Sequence, residues 1–545
     1  MIALPAASPN RDIAVIQWRL MFRASLCLIL SLAALQARAV TGQRAYGTPT
    51  YDALIVNARV LDGTGNPWMA ADVGIRGDRI AAVGRLAGAT ATRVIDAHGL
   101  TLAPGFIDVH SHAAEGLAGA LHTAQPLLAQ GITTVFINPD GGGPTDLAGQ
   151  RAALVARGIG VNIGQFVPHG SIRRAVLGME ARVPRPDELN QMQAMTRDGM
   201  KAGGLGLSTG LYYAPGSYAA TDEVIALAKV AAEFGGVYSS HIRDEADYSV
   251  GLLAAVDEVI RIAEDARVVG VVSHMKALGP AQWGLSSLLS ARVDQARQRG
   301  VQVFADQYPY NASGTGLSAA LVPRWAEVGG REEFLKRLTG AERPRLLREI
   351  AKNLARRGGP STLVISSYAP DSALQGRSLA DIATSRGVAA VDLVASLLER
   401  GDGGLVSFNM SDADIAHIMR QPWTMTCTDG DLTEPGAGKP HPRGYGAFAR
   451  KLAVYVRERR VVDLAAAVRS MTSLPAQVFG LRDRGSIRPG AAADLVVFDP
   501  GRIADKATYD SPQQMAEGIA YAFVNGTLAI DDGRFTNATA GRAVR

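Results

Sequence analysis

The hydrophobic positions between residues 106 and 430 change repeatedly from one period to another. Short, unbroken apolar runs predict buried strands, which start at Thr133, Gly204, Gly236, Val269 and Val301. Amphipathic stretches between them predict helices, at 222–233, 251–264 and 284–298. Repeated strand–helix units over this length favour an α/β fold, a parallel (β/α)8 barrel. A doubly wound sheet is the alternative, but no G-x-G-x-x-G turn follows an early strand.

The chain ends have a different pattern, with short strand-like runs separated by Gly, Asn and Asp turns. We expect residues 51–105 and 486–545 to pair into one small β-sandwich domain outside a catalytic barrel at 106–485. Within the barrel region, the charged helical stretch 325–415 lacks the strand–helix rhythm. It predicts an insertion before the last barrel strand, in the position of a lid.

The first 39 residues have the features of an export signal. Arg19 and Arg23 precede the apolar run Leu26–Leu35, and Ala37-Arg38-Ala39 is an A-x-A cleavage pattern. A retained N-terminal anchor is the alternative, although the apolar run is short for a membrane span. We therefore expect an exported protein, periplasmic or secreted, without stable membrane insertion. Removal of the signal leaves Cys427 as the single cysteine, which cannot form an internal disulfide.

The charge of the chain argues against one class of partner. The 545 residues carry a net charge of +5, but four arginines against one aspartate place +3 of it in residues 1–39. The remaining +2 is too small to indicate binding to nucleic acid or to an anionic membrane. With 47% hydrophobic and 20% charged residues, the composition is typical of a soluble globular enzyme.

A histidine pair follows the apolar run in the sequence PGFIDVHSH, which starts at residue 104. Because alternate residues of a strand face the same side, His110 and His112 are expected to point out together from its carboxyl end. Two imidazoles so placed suit a divalent metal. Three later candidates, His241, His274 and Asp429, also follow apolar runs. Each alone is more often a core histidine or a helix cap, but the ordered set predicts a metal site at the carboxyl ends of the strands.

Ordered motifs along the chain resemble those of the amidohydrolase superfamily, specifically the N-acyl-D-amino-acid deacylases (D-aminoacylases). The resemblance runs from about residue 51 to the C-terminus, and its motifs are PGFIDVHSH, GITTV, GLSTGLYYAPG, SSHIRDE, VSHMK, DQYPY, TDG followed by HPRGYG, MTSLPAQVFGL and GAAADLVVFDP. It implies a metal-dependent (β/α)8 barrel with a β-sandwich from both chain ends and an insertion before the last strand. The matching metal ligands are His110 and His112 for one site and His241 and His274 for the other, while Asp429 matches the catalytic aspartate and is counted among the ligands.

One position departs from the family pattern. Where D-aminoacylases have a metal-binding cysteine after the GITTV strand, this chain has Asp140, in Asn138-Pro139-Asp140-Gly141. A carboxylate can replace a thiolate as an anionic, bridging ligand, although it is a harder donor. The alternative is that Asp140 only shapes a glycine-rich turn. The resemblance therefore implies bound Zn²⁺, with one or two ions per chain left open.

The residues expected to bind substrate also come from the resemblance. In the family, positions matching Tyr213, Lys276 and Arg443 hold the α-carboxylate of an N-acyl-D-amino acid. Arg443 offers a bidentate fork and Lys276 a point charge for that carboxylate. The weaker candidates for the lining of the site are Tyr308, Ser313, Tyr310 and Arg243, whereas His169 is assigned no role.

These inferences lead to one expected activity. We expect a metal-dependent hydrolase that deacylates N-acyl-D-amino acids by metal-activated water, with Asp429 as general base and then acid. One alternative is another amidohydrolase reaction, on a dipeptide or a cyclic amide. A second alternative is a non-catalytic binding module. No nucleic-acid partner is expected, and a homo-oligomer is left open.

Overall fold

The computed structural model describes residues 50–545. The predicted export signal at 1–39 lies outside these residues, so cleavage and anchoring stay predictions. Within residues 50–545, none of the helices combines the length and the apolar character that a bilayer span requires.

Strands and helices follow one another along the whole of this range. The strands are β1 (Thr50–Val60), β2 (Met69–Arg76), β3 (Arg79–Gly84), β4 (Thr90–Asp96), β5 (Thr101–Pro104), β6 (Phe106–Asp108), β7 (Ile132–Ile137), β8 (Asn162–Gln165), β9 (Val167–Pro168), β10 (Gly206–Gly210), β11 (Val237–His241), β12 (Val269–Val272), β13 (Val303–Gln307), β14 (Ser313–Gly316), β15 (Leu363–Ser367), β16 (Gly404–Ser407), β17 (Thr424–Thr426), β18 (Leu495–Phe498), β19 (Ile519–Val524), β20 (Thr527–Asp531) and β21 (Arg534–Phe535). The α-helices are α1 (Ala114–Ala118), α2 (Gln125–Leu128), α3 (Leu147–Arg157), α4 (His169–Leu177), α5 (Pro186–Lys201), α6 (Thr221–Glu233), α7 (Leu252–Ala266), α8 (Ser286–Gln298), α9 (Leu317–Leu321), α10 (Arg331–Thr339), α11 (Arg343–Arg356), α12 (Leu379–Arg386), α13 (Ala390–Arg400), α14 (Asp412–Met419), α15 (Arg443–Arg450), α16 (Leu464–Met471) and α17 (Ser473–Val478). A π-helical segment covers Lys451–Glu458.

Eight parallel strands close into a barrel in the order β6, β7, β8–β9, β10, β11, β12, β13 and β17. β8 and β9 are two pieces of one strand, separated by Phe166, whose N–H still bonds β7. The chain beyond β17 returns to the end of β6, because the Asp429 N–H donates to the His110 carbonyl at 2.9 Å and the His112 N–H to the Gly430 carbonyl at 3.0 Å. This closure confirms the predicted α/β barrel and excludes the doubly wound alternative.

The barrel elements lie close to their predicted bounds. α6, α7 and α8 match the three predicted helices to within two residues at each end. Three strands begin later than predicted: β10 at Gly206 instead of Gly204, β11 at Val237 instead of Gly236 and β13 at Val303 instead of Val301. The reason is that the N–H groups of Gly204, Gly236 and Val301 still bond carbonyls of the preceding helices.

Both chain ends contribute to one sheet, in the strand order β21-β20-β19-β18-β5-β1-β2-β3, with β4 also paired to β1. β5 joins the two halves, since it runs parallel to β1 and antiparallel to β18. Apolar side chains from both halves, including Ile55, Val73, Leu495 and Phe523, share one core. Only Gly105 separates this sheet from β6, so the first metal-ligand strand is anchored at its base.

A second small sheet forms between β13 and β17. β14, β15 and β16 pair antiparallel with β16 in the centre. Helices α9–α13 accompany it, and the apolar side chains between Leu317 and Leu405 form a separate core. The sheet starts at Ser313, before the stretch 325–415, and it contains strands that the charged pattern does not reveal. β14 thereby brings Ser313 and Thr315 to the mouth of the barrel.

Candidate metal centre

Six predicted ligand residues come together at the carboxyl end of the barrel, which is the end that carries active sites in this fold. His110 and His112 follow β6, Asp140 follows β7, His241 ends β11, His274 follows β12 and Asp429 follows β17. Five of them line a cavity of about 1040 Å³. His110 is completely buried behind the wall that the other five help to form.

The Asp140 carboxylate lies at the centre of the four histidines. Its Oδ1 is 3.4 Å from His110 Nε2 and 3.6 Å from His274 Nε2. Its Oδ2 is 3.5 Å from His112 Nε2 and 3.7 Å from His241 Nδ1. Burial disfavours the ionised form, but His110 and the other histidines hold the pKa of Asp140 well below its usual value. This central placement favours a shared ligand over a turn residue.

Asp429 approaches the same histidines from the opposite end of the chain. Its Oδ1 is 3.5 Å from His110 Nε2 and 3.3 Å from His112 Nε2. The ligand atoms therefore form two groups that share Asp140: one with His110, His112 and Asp429, the other with His241 and His274. This is the division that the family resemblance implies, with Asp140 at the position of the family cysteine.

The separations fit a metal better than direct hydrogen bonds. N–H···O bonds are commonly about 2.9 Å long, whereas two ligands at zinc distance lie about 3.3–3.5 Å apart in a tetrahedron. The ligand atoms here are 3.3 to 3.7 Å apart. Both ring nitrogens of His110 and His241, and Asp140 Oδ1, are buried without a hydrogen-bond partner among residues 50–545. Because buried polar atoms rarely stay unpaired, this set of nitrogen and oxygen donors fits a divalent ion such as zinc.

The backbone holds the ligands in uncommon conformations. Asp140, His274 and Asp429 have φ values of 55°, 36° and 49°, in the left-handed region that non-glycine residues seldom occupy. Ser208 fastens the Asp140 loop from both sides: its hydroxyl donates to the Asn138 carbonyl at 2.8 Å and accepts from the N–H after Asp140 at 3.1 Å. Such strain persists where the surrounding structure enforces it, and it is typical of functional sites.

Glu245 and Lys276 contact the second ligand group from behind. Lys276 Nζ donates to Glu245 Oε1 at 2.5 Å and lies 2.7 Å from His274 Nδ1. Glu245 Oε1 is also 3.1 Å from His274 Nδ1 and 3.8 Å from His241 Nε2, the nitrogens that do not face Asp140. A carboxylate in this position orients metal-binding imidazoles. The sequence analysis did not predict a role for Glu245. The feature that could have indicated one is its position four residues after the predicted ligand His241 in the motif SSHIRDE.

Asp108 ties the first and last barrel strands together beneath the site. Its carboxylate accepts from the His110 N–H at 3.3 Å, and from the Thr428 N–H at 2.9 Å and hydroxyl at 2.5 Å. Burial raises the pKa of Asp108 to about 7. The bonds to Thr428 help to place Asp429 beside the histidine pair.

Arg443, the predicted carboxylate ligand, pairs with the predicted catalytic group. Its Nη1 donates to Asp429 Oδ2 at 2.6 Å, and its guanidinium carbon lies 4.8 Å from the centre of the Tyr308 ring. Burial disfavours the charged carboxylate, but the Arg443 guanidinium holds the pKa of Asp429 far below its usual value. The buried Arg443 guanidinium therefore pairs with Asp429 in addition to its predicted role as a ligand for a substrate carboxylate.

The other predicted substrate residues also line the cavity. Tyr213, Lys276, Tyr308, Ser313 and Arg443 all contribute to its wall. The Tyr213 hydroxyl lies 3.3 Å from Thr315 Oγ1, and the Ser313 hydroxyl donates to Asn409 Oδ1 at 3.1 Å. The barrel and the inserted sheet therefore meet at the cavity mouth.

Two of the weaker candidates, Arg243 and Tyr310, are engaged elsewhere, and neither they nor His169, which was assigned no role, line the cavity that residues 50–545 form. Arg243 pairs with Glu258 at 2.8 Å, and His169 Nε2 lies 2.9 Å from Glu223. The Tyr310 ring stacks against Arg450 at 4.8 Å. The expectation that Arg243 and Tyr310 line the site is therefore wrong, because neighbouring charged side chains hold both of them away from the cavity.

Comparison with known proteins decides the family. The sequence model of the Amidohydrolase family matches residues 93–530. The chain belongs to this family. The amidohydrolase is 37% identical to the N-acyl-D-glutamate deacylase of Alcaligenes xylosoxydans xylosoxydans over 501 residues, which are 87% of this chain and 93% of that protein. It is 33% identical to the D-aminoacylase of the same organism over 519 residues, 91% of this chain and 97% of that protein.

A solved structure agrees with this assignment. The N-acyl-D-glutamate deacylase from Bordetella bronchiseptica, complexed with zinc and a phosphonate inhibitor that mimics the tetrahedral intermediate, matches the amidohydrolase with a TM-score of 0.78 and 35% identity. The match covers 91% of this chain and 100% of that chain. Sequence and structure together confirm the predicted D-aminoacylase family and its fold.

Proposed function

We propose that this amidohydrolase is a zinc-dependent deacylase that converts N-acyl-D-amino acids to a carboxylate and a free D-amino acid. The observation that carries the proposal is the position of Asp429, which adjoins both the histidine cluster and the Arg443 guanidinium. An amide bond at the cluster then lies near a cation that suits the substrate carboxylate. Similar proteins named N-acyl-D-glutamate deacylase, D-aminoacylase and N-acyl-D-aspartate deacylase support this reaction class.

The side chains divide the chemistry between them. Zinc held by the four histidines and Asp140 would supply Lewis-acid chemistry, which acidifies water and polarises an amide carbonyl. Asp429 Oδ1 lies where it can accept a proton from the attacking water and then donate it to the leaving amine. Arg443 fixes the other carboxylate oxygen. Because water is the nucleophile, no acyl-enzyme forms.

The cavity wall suits a substrate with a free α-carboxylate. Lys276 pairs with Glu245 and Arg443 pairs with Asp429, so a substrate carboxylate would share each cation with a carboxylate of the protein. Arg443 Nη2 makes a long contact of 3.5 Å with the Gly314 carbonyl, which leaves N–H donors for the α-carboxylate of the substrate beside Asp429. The Tyr213 hydroxyl adds a neutral donor.

A stereochemical assay of the full-length chain tests the proposal. Matched N-acetyl-D- and N-acetyl-L-amino acids are incubated with the zinc-loaded enzyme, and the released amine is quantified. We expect turnover of D-forms, loss of activity with a chelator and recovery with zinc. Turnover of L-forms only, or of none, contradicts the deacylase proposal, and hydrolysis of dipeptides or cyclic amides in their place assigns another reaction of the family.

We also propose that the chain is exported and cleaved after Ala39. The support is the arginine-flanked apolar run and the A-x-A pattern in residues 1–39. Cell fractionation with N-terminal mass spectrometry tests this proposal. A mature chain that starts at Val40 in the periplasm or medium supports it, whereas a full-length chain in the cytoplasm contradicts it.

A further inference from the structure

A third buried cation, besides Lys276 and Arg443, lies in the part of the cavity wall that residues 50–545 form. Arg357 follows α11 in the inserted segment, and its side chain reaches the cavity that holds the metal centre. It is 1% exposed, so its guanidinium is almost completely removed from bulk water. Neither the proposed mechanism nor the proposed α-carboxylate site uses it.

The partners of Arg357 are all neutral. Its Nε donates to the Tyr248 hydroxyl at 2.7 Å, Nη1 to the Ser407 hydroxyl at 3.2 Å and Nη2 to the Tyr212 hydroxyl at 3.3 Å. Within residues 50–545, no carboxylate lies within 4.0 Å of it. By contrast, the other buried cations of the cavity each pair with a carboxylate, Lys276 with Glu245 and Arg443 with Asp429.

An unpaired buried charge is costly, and proteins normally pair it or expose it. A guanidinium has five N–H donors, and the three hydroxyls engage only three of them. Two donors of Arg357 therefore stay available, in the planar arrangement that matches a carboxylate. The site has the charge and the donors to receive an anion from the cavity.

Arg357 lies close enough to the metal centre for one small substrate to reach both. The Tyr212 ring stacks on the His241 ring, with centroids 5.4 Å apart, and its hydroxyl contacts Arg357. Ser407, the second contact, pairs directly with Ser313 across β14 and β16. One tyrosine thus separates the guanidinium from a predicted zinc ligand.

We propose that Arg357 binds a second carboxylate of the substrate and makes acidic N-acyl-D-amino acids preferred over neutral ones. This inference rests on the proposed deacylase function and deepens it. The second carboxylate has two sources, the side chain of a D-amino acid such as D-glutamate or the far end of a dicarboxylic acyl group. Both present the same planar anion to the guanidinium.

Substrate pairs that match in size but differ by one carboxylate test the proposal on the wild-type chain. One pair is N-acetyl-D-glutamate and N-acetyl-D-glutamine, and the other is N-succinyl-D-leucine and its terminal amide. We expect kcat/KM for the acidic member of one pair to exceed that of its neutral partner by about 10- to 100-fold, the range for a charged hydrogen bond. The pair that responds identifies the source of the carboxylate. Ratios near one in both pairs overturn the proposal.

Variants then assign the preference to Arg357. We expect Arg357→Met to bring the responding ratio close to one, and Arg357→Lys to keep an intermediate ratio because it retains the charge without the fork. Arg157→Met is the matched control, because Arg157 is an exposed arginine at the rim of the same cavity. Its ratio should equal that of the wild type. An unchanged ratio in Arg357→Met overturns the proposal.

Folding and function are separable in this design. If Arg357→Met does not fold, the wild-type pairs and Arg357→Lys carry the test. Turnover of neutral N-acetyl-D-amino acids without an acidic preference overturns only the role of Arg357. Absence of turnover with every N-acyl-D-amino acid overturns the deacylase proposal as well.

Discussion

Arg443 donates to Asp429 Oδ2 at 2.6 Å, while the other oxygen of the same carboxylate lies 3.3 Å from His112. One aspartate therefore joins the predicted metal site to the predicted anion site. The guanidinium keeps this buried carboxylate ionised and fixes its orientation. Position and charge at Asp429 are thus set by the same residue that is expected to meet the substrate.

Asp429→Asn tests the proton-transfer role. The amide keeps the shape of the side chain but cannot accept and return a proton, so we expect kcat to fall by about 10²- to 10⁴-fold. Bound zinc should be retained in large part, because four histidines and Asp140 are unchanged. Steady-state kinetics with metal analysis measures both. Asp431→Asn, at an exposed neighbour on the cavity wall, is the control, and a fully active Asp429→Asn contradicts the role.

Asp140→Asn tests the shared ligand. Asparagine tolerates the left-handed backbone at this position but removes the anionic bridge. We expect fewer zinc ions per chain, whereas Asp140→Cys should restore them through a thiolate. Asp146→Asn, an exposed helix cap in the same loop, should bind as much zinc as the wild type. Equal zinc content in Asp140→Asn and wild type would show that Asp140 only shapes the turn.

Glu245→Gln tests the support of the second ligand group. The neutral amide loses the charge that orients His274 and His241, so we expect about 10- to 100-fold weaker zinc binding. Competition with a fluorescent zinc chelator measures the affinity. Glu115→Gln removes an exposed acid from the same cavity and should leave it unchanged. Similar losses in both variants would point to the general electrostatics of the cavity instead.

Lys451 predicts a pH-dependent stability. Its Nζ is buried and donates to Thr426 and Ser470 hydroxyls at 2.8 and 2.7 Å. Burial lowers the pKa of Lys451 from 10.5 to about 7. Between these values the unfolded lysine holds a proton that the folded one lacks, so this residue makes the free energy of unfolding rise with pH.

Lys451→Met removes this contribution. The free energy of unfolding of the variant should exceed that of the wild type most at and below pH 7. This excess should shrink by about 2–3 kcal/mol between pH 7 and pH 9. Urea unfolding of both proteins at the two pH values measures it. Lys229→Met, at an exposed helical lysine, should show no such change. A difference between Lys451→Met and wild type that is constant with pH rules out the buried charge as its cause.

The local sequence pattern was sufficient to predict the barrel and the positions of the metal-binding histidine candidates. Strand periodicity placed His110 and His112 on one side of a strand end, and the ordered motifs placed His241, His274 and Asp429 at three others. Glu245 was missed because it lies in a loop, where no periodicity reports the direction of a side chain. The direction of the Arg243 side chain was predicted wrongly for the same reason. Arg243 also lies in a loop, and it turns toward Glu258 on α7.

Residue types and their spacings along the chain were sufficient to predict the family, the barrel and the set of ligand candidates. The folded structure was needed to show that Asp140 lies among four histidines, that Arg443 pairs with Asp429, and that Arg357 reaches the same cavity without a carboxylate partner among residues 50–545. These relationships arise when the barrel closes and the inserted segment folds over its mouth. Folding brings side chains that are distant in the sequence into contact. Burial then strengthens the effect of each charge on the pKa values of its neighbours.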